Sequence, residues 1–211
     1  QDDDPEVRLA AADTLEKIGW KPDQSEGAAA YWIVRGNWEL AAQVGAPAIP
    51  PIITALHSHS SELRQAAIVA LGKIGRQEKE EKTRSRILEM LIAAFQDETV
   101  RASVLQTIAG IGGVKALPFL LKGLADADPQ VRFAAVEALD QIQWKPENAA
   151  NQADAARYWI VRRCWERAAE LGTAAFEPLA EAYLQAVQPA EHQAVAEALV
   201  ILGDGRAVDL L

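Results

Sequence analysis

All six tryptophans of this chain lie in two copies of one segment. The first reads Trp20-Lys21-Pro22, Tyr31-Trp32-Ile33-Val34-Arg35 and Trp38-Glu39; the second reads Trp144-Lys145-Pro146, Tyr158-Trp159-Ile160-Val161-Arg162 and Trp165-Glu166. A residue this rare does not fall into register twice by chance, so the chain is an internal duplication and must fold as units that stack. The duplication runs past the aromatics. Asp4-Pro5-Glu6-Val7-Arg8 returns as Asp128-Pro129-Gln130-Val131-Arg132, and Gly45, Pro51 and Gly75 return as Gly172, Pro178 and Gly203. About residues 1–75 thus resemble 125–203, and the expectation is one repeat domain over 1–211.

A shorter period sits inside the long one. Five stretches align, beginning at Val7, Leu63, Val100, Val131 and Glu191, and each repeats small or apolar residues at the spacing of one helical face. Asp4, Ser60, Asp97 and Asp128 stand where N-caps are wanted, with Pro5 and Pro129 at the first turn. Gly19, Gly75, Gly112 and Gly203 follow the last apolar residue, where a left-handed C-terminal residue is expected. Another short amphipathic helix precedes four of the stretches, over 47–56, 87–95, 116–124 and 176–184. The unit is a helical hairpin, the class is all-α, and no series of alternating residues suggests a sheet.

The segment Ala116 to Ile142, with Leu124, Asp126, Asp128-Pro129, Val131-Arg132, Ala135 and Ala138-Leu139, resembles the HEAT-like repeat, specifically the subtype found in phycobilisome lyases. The resemblance covers essentially the whole chain. It implies an α-solenoid of about five HEAT-like hairpins carrying two Trp-rich helical inserts, with the second helices lining a concave face. It also implies that Arg8, Arg64, Arg101 and Arg132, which recur with the repeat, form a ladder onto the adjacent hairpin. Function is not implied by a reusable scaffold. The chain opens on Gln1 and stops in what reads as the start of another first helix, so it is expected to be a fragment of a longer protein.

A net charge of −9 argues against a surface that tracks phosphates, because sequence-independent nucleic-acid affinity needs clustered Lys and Arg. The basic run Arg76 to Arg86 is interleaved with Glu78, Glu80 and Glu81 and reads as a solvated connection or helix start. No apolar run is long enough to span a bilayer. Cys164 is the single cysteine, which rules out an internal disulfide and suits a reducing cytoplasm. It has arginines but no histidine nearby in sequence, so no nucleophile is assigned. His57 and His59 share a turn and His192 fills an arginine slot of the repeat, so no metal site and no cofactor are expected.

The stripe Tyr31, Val34, Trp38, Ala41 and Ala42, matched by Tyr158, Val161, Trp165, Ala168 and Ala169, is expected to be core, since rings of this size stabilise by roughly 25 cal/mol per Å² of apolar surface buried. Whether each insert is one helix or two stays open; Arg163-Cys164, where the first copy has Gly36-Asn37, suggests that positive φ is not needed there. The candidate binding ridge on the second helices comprises Leu9, Asp13, Gln65, Val69, Gln106, Phe133, Glu137 and Glu197. These residues point to a non-enzymatic scaffold whose acidic face holds a protein or peptide with basic and apolar surface, binding neither nucleic acid nor membrane. A relative of the phycobilin lyases and isomerases, or a regulatory solenoid of a larger enzyme, are the alternatives.

Overall fold

The computed structural model describes residues 4–211, apart from the side chains of Pro5 and Val114, so Gln1 lies outside the described residues. Among these residues there are thirteen α-helices and no strand. Contacts divide the chain into two compact units, Gln1–Ala116 and Leu117–Leu211.

The first unit holds α1 (Pro5–Lys17), α2 (Glu26–Val34), α3 (Trp38–Gln43), α4 (Ile49–Leu56), α5 (Ser61–Gln77), α6 (Glu81–Ala94) and α7 (Arg101–Gly112). The hairpins are α4/α5 and α6/α7, and α5 packs along α7. Their inner faces bury Ile52, Ile68, Leu71, Ile74, Ile87, Leu91, Leu105 and Ile108 completely. The second unit holds α8 (Leu117–Gly123), α9 (Pro129–Gln141), α10 (Gln152–Val161), α11 (Trp165–Ala169), α12 (Phe176–Gln185) and α13 (Pro189–Leu202). Here α8/α9 and α12/α13 are the hairpins, closed over Leu120, Leu139, Leu179 and Leu199.

Helix starts follow the expected chemistry. The Asp4 and Asp128 carboxylates each accept from the backbone N–H two residues on, at 2.8 Å, and the Ser60 hydroxyl accepts from Leu63 N at 3.3 Å. Asp97 makes the same turn with Thr99 N at 3.0 Å, although regular helix begins later, at Arg101. Helix ends correct the expectation in two places. Gly19 (φ +71°) and Gly203 (φ +68°) are left-handed C-terminal residues, but Gly75 lies inside α5 and Gly112 is the last residue of α7, with the positive φ falling on Gly113. Gly75 is needed for another reason. A Cβ there would stand 2.8 Å from Ile111 Cδ1, and one at Gly72 would stand 2.5 Å from Thr107 Cγ2. These glycines let α5 and α7 approach closely.

Each insert is two helices. α2 and α10 end in a six-to-one closure, with Asn37 N donating to Trp32 O at 2.8 Å and Cys164 N to Trp159 O at 2.9 Å. Gly36 takes φ +71° in the first closure, and Arg163 takes φ +59° in the second. The expectation that positive φ is not required at Arg163 is therefore wrong: the break between the helices imposes it whatever the residue. α1 and α9 close in the same way, Trp20 N on Leu15 O at 3.0 Å and Trp144 N on Leu139 O at 2.9 Å, with Gly19 and Gln143 (φ +58°) in the left-handed position. After the break α2 packs on α4 and α3 on α5, as α10 does on α12 and α11 on α13, so each insert is a thin two-helix layer beneath the following hairpin.

The aromatic stripe is core only in part. Ala41, Ala42, Ala168, Ala169 and Tyr158 are buried, whereas all six tryptophans are half-buried. In each copy the tryptophan of the Trp-Lys-Pro segment, the tyrosine and the next tryptophan stack edge to face: Trp20–Tyr31–Trp32 at 5.4 and 5.0 Å, and Trp144–Tyr158–Trp159 at 5.5 and 5.1 Å. The rings seal the layer's edge rather than fill its centre.

Candidate functional site

The predicted ridge residues are accessible in both units. In the first, Leu9 is 46% exposed on α1 and Val69 47% exposed on α5, with Gln65 exposed on α5 and Gln106 on α7. Gln65 also donates a long 3.4 Å bond to Thr99 O at the foot of α7. In the second, Phe133 is 56% exposed on α9, one helical turn from the exposed Glu137. Glu197 is exposed on α13 and accepts from Gln193 at 2.9 Å.

Much of the expected acidity is used internally. Arg35, at the end of α2, reaches back to Asp13 at 2.8 Å and Glu16 at 2.6 Å on α1. In the second copy Arg162 pairs with Asp140, which also accepts from the Tyr158 hydroxyl at 2.6 Å. Burial, and then the Asp140 carboxylate, push the Tyr158 hydroxyl up to about 12. These contacts pin each insert to the helix before it. The sequence reading missed them because the partners lie outside any repeat period.

Of the expected arginine ladder, Arg64 shows the crossing to the next hairpin, whereas Arg101 and Arg132 hold their own turns. Arg64 Nη1 holds the turn of its own hairpin through Ser58 O at 2.7 Å and His59 O at 3.1 Å. Its other donors cross to the next hairpin: Nε lies 2.7 Å from the Asp97 carboxylate and Nη2 donates to Thr99 Oγ1 at 2.8 Å. Burial would raise the Asp97 carboxyl, but the Thr99 bonds and the Arg64 charge hold it below its usual range. Arg132 makes the same clamp on its own turn, Nη1 to Asp126 O at 2.8 Å and Ala127 O at 2.9 Å. Across the insert, however, the matching cap position is Gln188 rather than an aspartate, and Arg132 Nε and Nη2 have no protein acceptor among the described residues.

Those donors border an open cleft of about 690 Å³ in the second unit. Phe133, Ile160, Val161, Trp165 and Pro178 give it apolar walls, and Arg132, Arg157, Arg163, Glu181 and Glu191 give it charge. Arg163 pairs with Glu191 at 3.4 Å. Arg157 sits 4.0 Å from Asp154 and 3.9 Å from Glu181, beyond hydrogen-bond reach, and its Nε is buried without a partner. Burial keeps the Asp154 carboxyl above its usual range in spite of the nearby Arg157 charge, as expected of a loose pair. Sequence reasoning found Phe133 but not this constellation. Its signal was the comparison of copies, where Arg157 replaces Ala30 and Arg163 replaces Gly36.

The reactive residue types stand apart. His57 and His59 are exposed in the turn between α4 and α5, and the His192 ring lies 3.9 Å from that of Tyr183. Cys164 has its thiol 3.6 Å from Arg162 O at the start of the five-residue α11. No group of three His, Cys, Asp or Glu among the described residues is placed to hold a metal ion, and no described helix is long and apolar enough to cross a membrane.

Residues 86–163, from within α6 through α10, match the family model for HEAT repeats. That match, with the Arg64 clamp on the hairpin before it and the Arg132 clamp inside it, supports a HEAT-like repeat protein, and the helical hairpins are consistent with an all-α HEAT-like solenoid. No curated protein matches it.

Proposed function

We propose that this chain is a non-enzymatic scaffold that binds a protein or peptide through the exposed ridges of its second helices. The observation that carries the reading is the exposure of Leu9, Val69 and Phe133 along the second helices, sharpest at Phe133, since Val131, Val136 and Leu139 on the same helix are buried. Large apolar side chains left accessible on an otherwise polar ridge suit partner anchors. Repeats of this kind commonly mediate protein interactions, and a stack of hairpins offers such a ridge without a catalytic cavity. Glu137 and Glu197 give the ridge of the second unit an acidic margin, which favours a partner with basic as well as apolar surface. Asp13 contributes less, because Arg35 already neutralises it.

Site-specific photo-crosslinking tests this. A photoreactive residue placed in turn at Val69, Phe133 and, as a control on α8, Lys122 should yield a discrete adduct with the same cellular protein from the first two positions and none from the third. Adducts of equal yield from all three, or from Lys122 alone, would remove the ridge as the binding surface.

A further inference from the structure

The duplication provides an internal control for the cleft of the second unit. Where the first copy has Ala30 the second has Arg157, and where the first has Gly36 the second has Arg163, held at φ +59° although side chains rarely adopt that conformation. Both arginines, with Arg132, line the one cleft. Arg163 is accounted for by Glu191. The other two are not: Arg132 keeps Nε and Nη2 without a protein acceptor, and Arg157 touches its carboxylates only at 3.9 and 4.0 Å.

In Arg64, Nη2 donates to a hydroxyl of the next hairpin and Nε is ion-paired with a carboxylate there, without an aligned hydrogen bond. The donor geometry of Arg132 is therefore that of a repeat arginine whose acidic partner is missing, and a guanidinium fork matches a carboxylate. Phe133 and Trp165 supply an apolar wall beside it. Asp126, Glu181 and Glu191 also line the cleft and repel a polyanion, so the complement is a single carboxylate next to an apolar side chain. We propose that this cleft receives a short acidic segment of a partner protein, its carboxylate taken by Arg132 and Arg157 and its neighbouring apolar side chain by Phe133 and Trp165. The proposal rests on the scaffold reading but requires the opposite charge from the Glu137 and Glu197 margin, so the two fail separately.

A random-peptide display library selected on the full chain tests it, with the enriched peptides then titrated as labelled synthetic peptides by fluorescence anisotropy. The expected result is enrichment of Asp or Glu beside Leu, Phe or Trp, with binding weakened about tenfold or more by Arg132→Ala and by Arg157→Lys, which keeps the charge and loses the fork. Thermal midpoints of both variants, and circular dichroism, show whether the fold is kept. Phe133→Ala, at an exposed position, provides a variant that leaves the core intact and should also weaken binding. Enrichment of basic peptides alone overturns the cleft and leaves the ridge reading standing. Acidic peptides that bind the arginine variants as well as the parent, or that bind equally after Asn and Gln replace their acids, overturn the cleft too. No enrichment of any class counts against both readings.

Discussion

At the ends of α1 and α2 the chain turns through Gly19 and Gly36, and at the same places in the second copy it turns through Gln143 and Arg163, with the same positive φ. An L residue in that region is disfavoured by roughly 1–2 kcal/mol, against which glycine's larger unfolded-state freedom sets about 0.5–1 kcal/mol. Gln143 is the cleaner test because, unlike Arg163, it makes no ion pair. Gln143→Gly is expected to raise the thermal midpoint by about 2 °C, and Gly19→Gln to lower it by a similar amount; a midpoint that falls on Gln143→Gly would mean that its φ is not strained. Tyr158 gives a residue-scale pH dependence. It is 6% exposed, donates to Asp140, and titrates at about 12 rather than its ordinary 10.0. Its folded value is raised, so its contribution is fully present below about pH 10 and is lost as pH rises through about 12. Tyr158→Phe should cost about 1 kcal/mol at neutral pH and should flatten the alkaline loss of stability seen in denaturant titrations of the parent. An alkaline loss of the same steepness in Tyr158→Phe would assign it to another group.

Between elements, the contact of α5 with α7 decides the sign of an otherwise ordinary substitution. Inside a helix, Gly→Ala normally stabilises by about 1 kcal/mol. At Gly72 the new Cβ would meet Thr107 Cγ2 at 2.5 Å, and overpacking of this kind costs roughly 1–3 kcal/mol, so Gly72→Ala should destabilise. Thr107→Ser removes the obstructing methyl and keeps the hydroxyl that donates to Ser103 O at 2.7 Å, so the double variant should recover most of the loss in urea unfolding. A double variant no more stable than Gly72→Ala would place the cost elsewhere. The same contact marks how far the sequence could be read. The helices, their Asp and Ser caps and the hairpin pairing were legible because 3.6-residue periodicity and capping are local, and the repeat supplied independent copies of each. Gly75 and Gly112 were misread because a glycine after an apolar run looks the same whether it ends a helix or admits a neighbouring one. The Arg35 and Arg162 pins, and the approach of Arg157 to Glu181, join residues whose separations belong to no period, so only three dimensions reveal them. Of the candidate site, the exposed ridge was legible from helical phase, whereas the cleft beside Phe133 needed the position of the insert.

On the scale of the whole chain, the repeat architecture matters: where each layer meets only its neighbours, stability is approximately a sum of local terms rather than one cooperative quantity. The two inserts are the layers most suited to show this. Trp38 and Trp165 occupy equivalent positions at the starts of α3 and α11, each half-buried, on helices that pack against α5 and α13 respectively. Removing a fully buried tryptophan costs about 3–5 kcal/mol; partial exposure at these positions brings the expectation down to roughly 2 kcal/mol. Because the rings are half-buried, iodide should quench the tryptophan emission to a degree between that of a core indole and that of a free one. Hydrogen exchange followed by mass spectrometry locates the loss. Trp38→Ala should speed exchange in α2 to α5 while leaving α12 and α13 at parental rates, and Trp165→Ala should do the reverse, because the closing layer in each case is built from the same copy of the duplication. Equal acceleration in both copies from either single variant would show that the chain opens as one cooperative body, and the layer-by-layer account of its stability would then have to be given up.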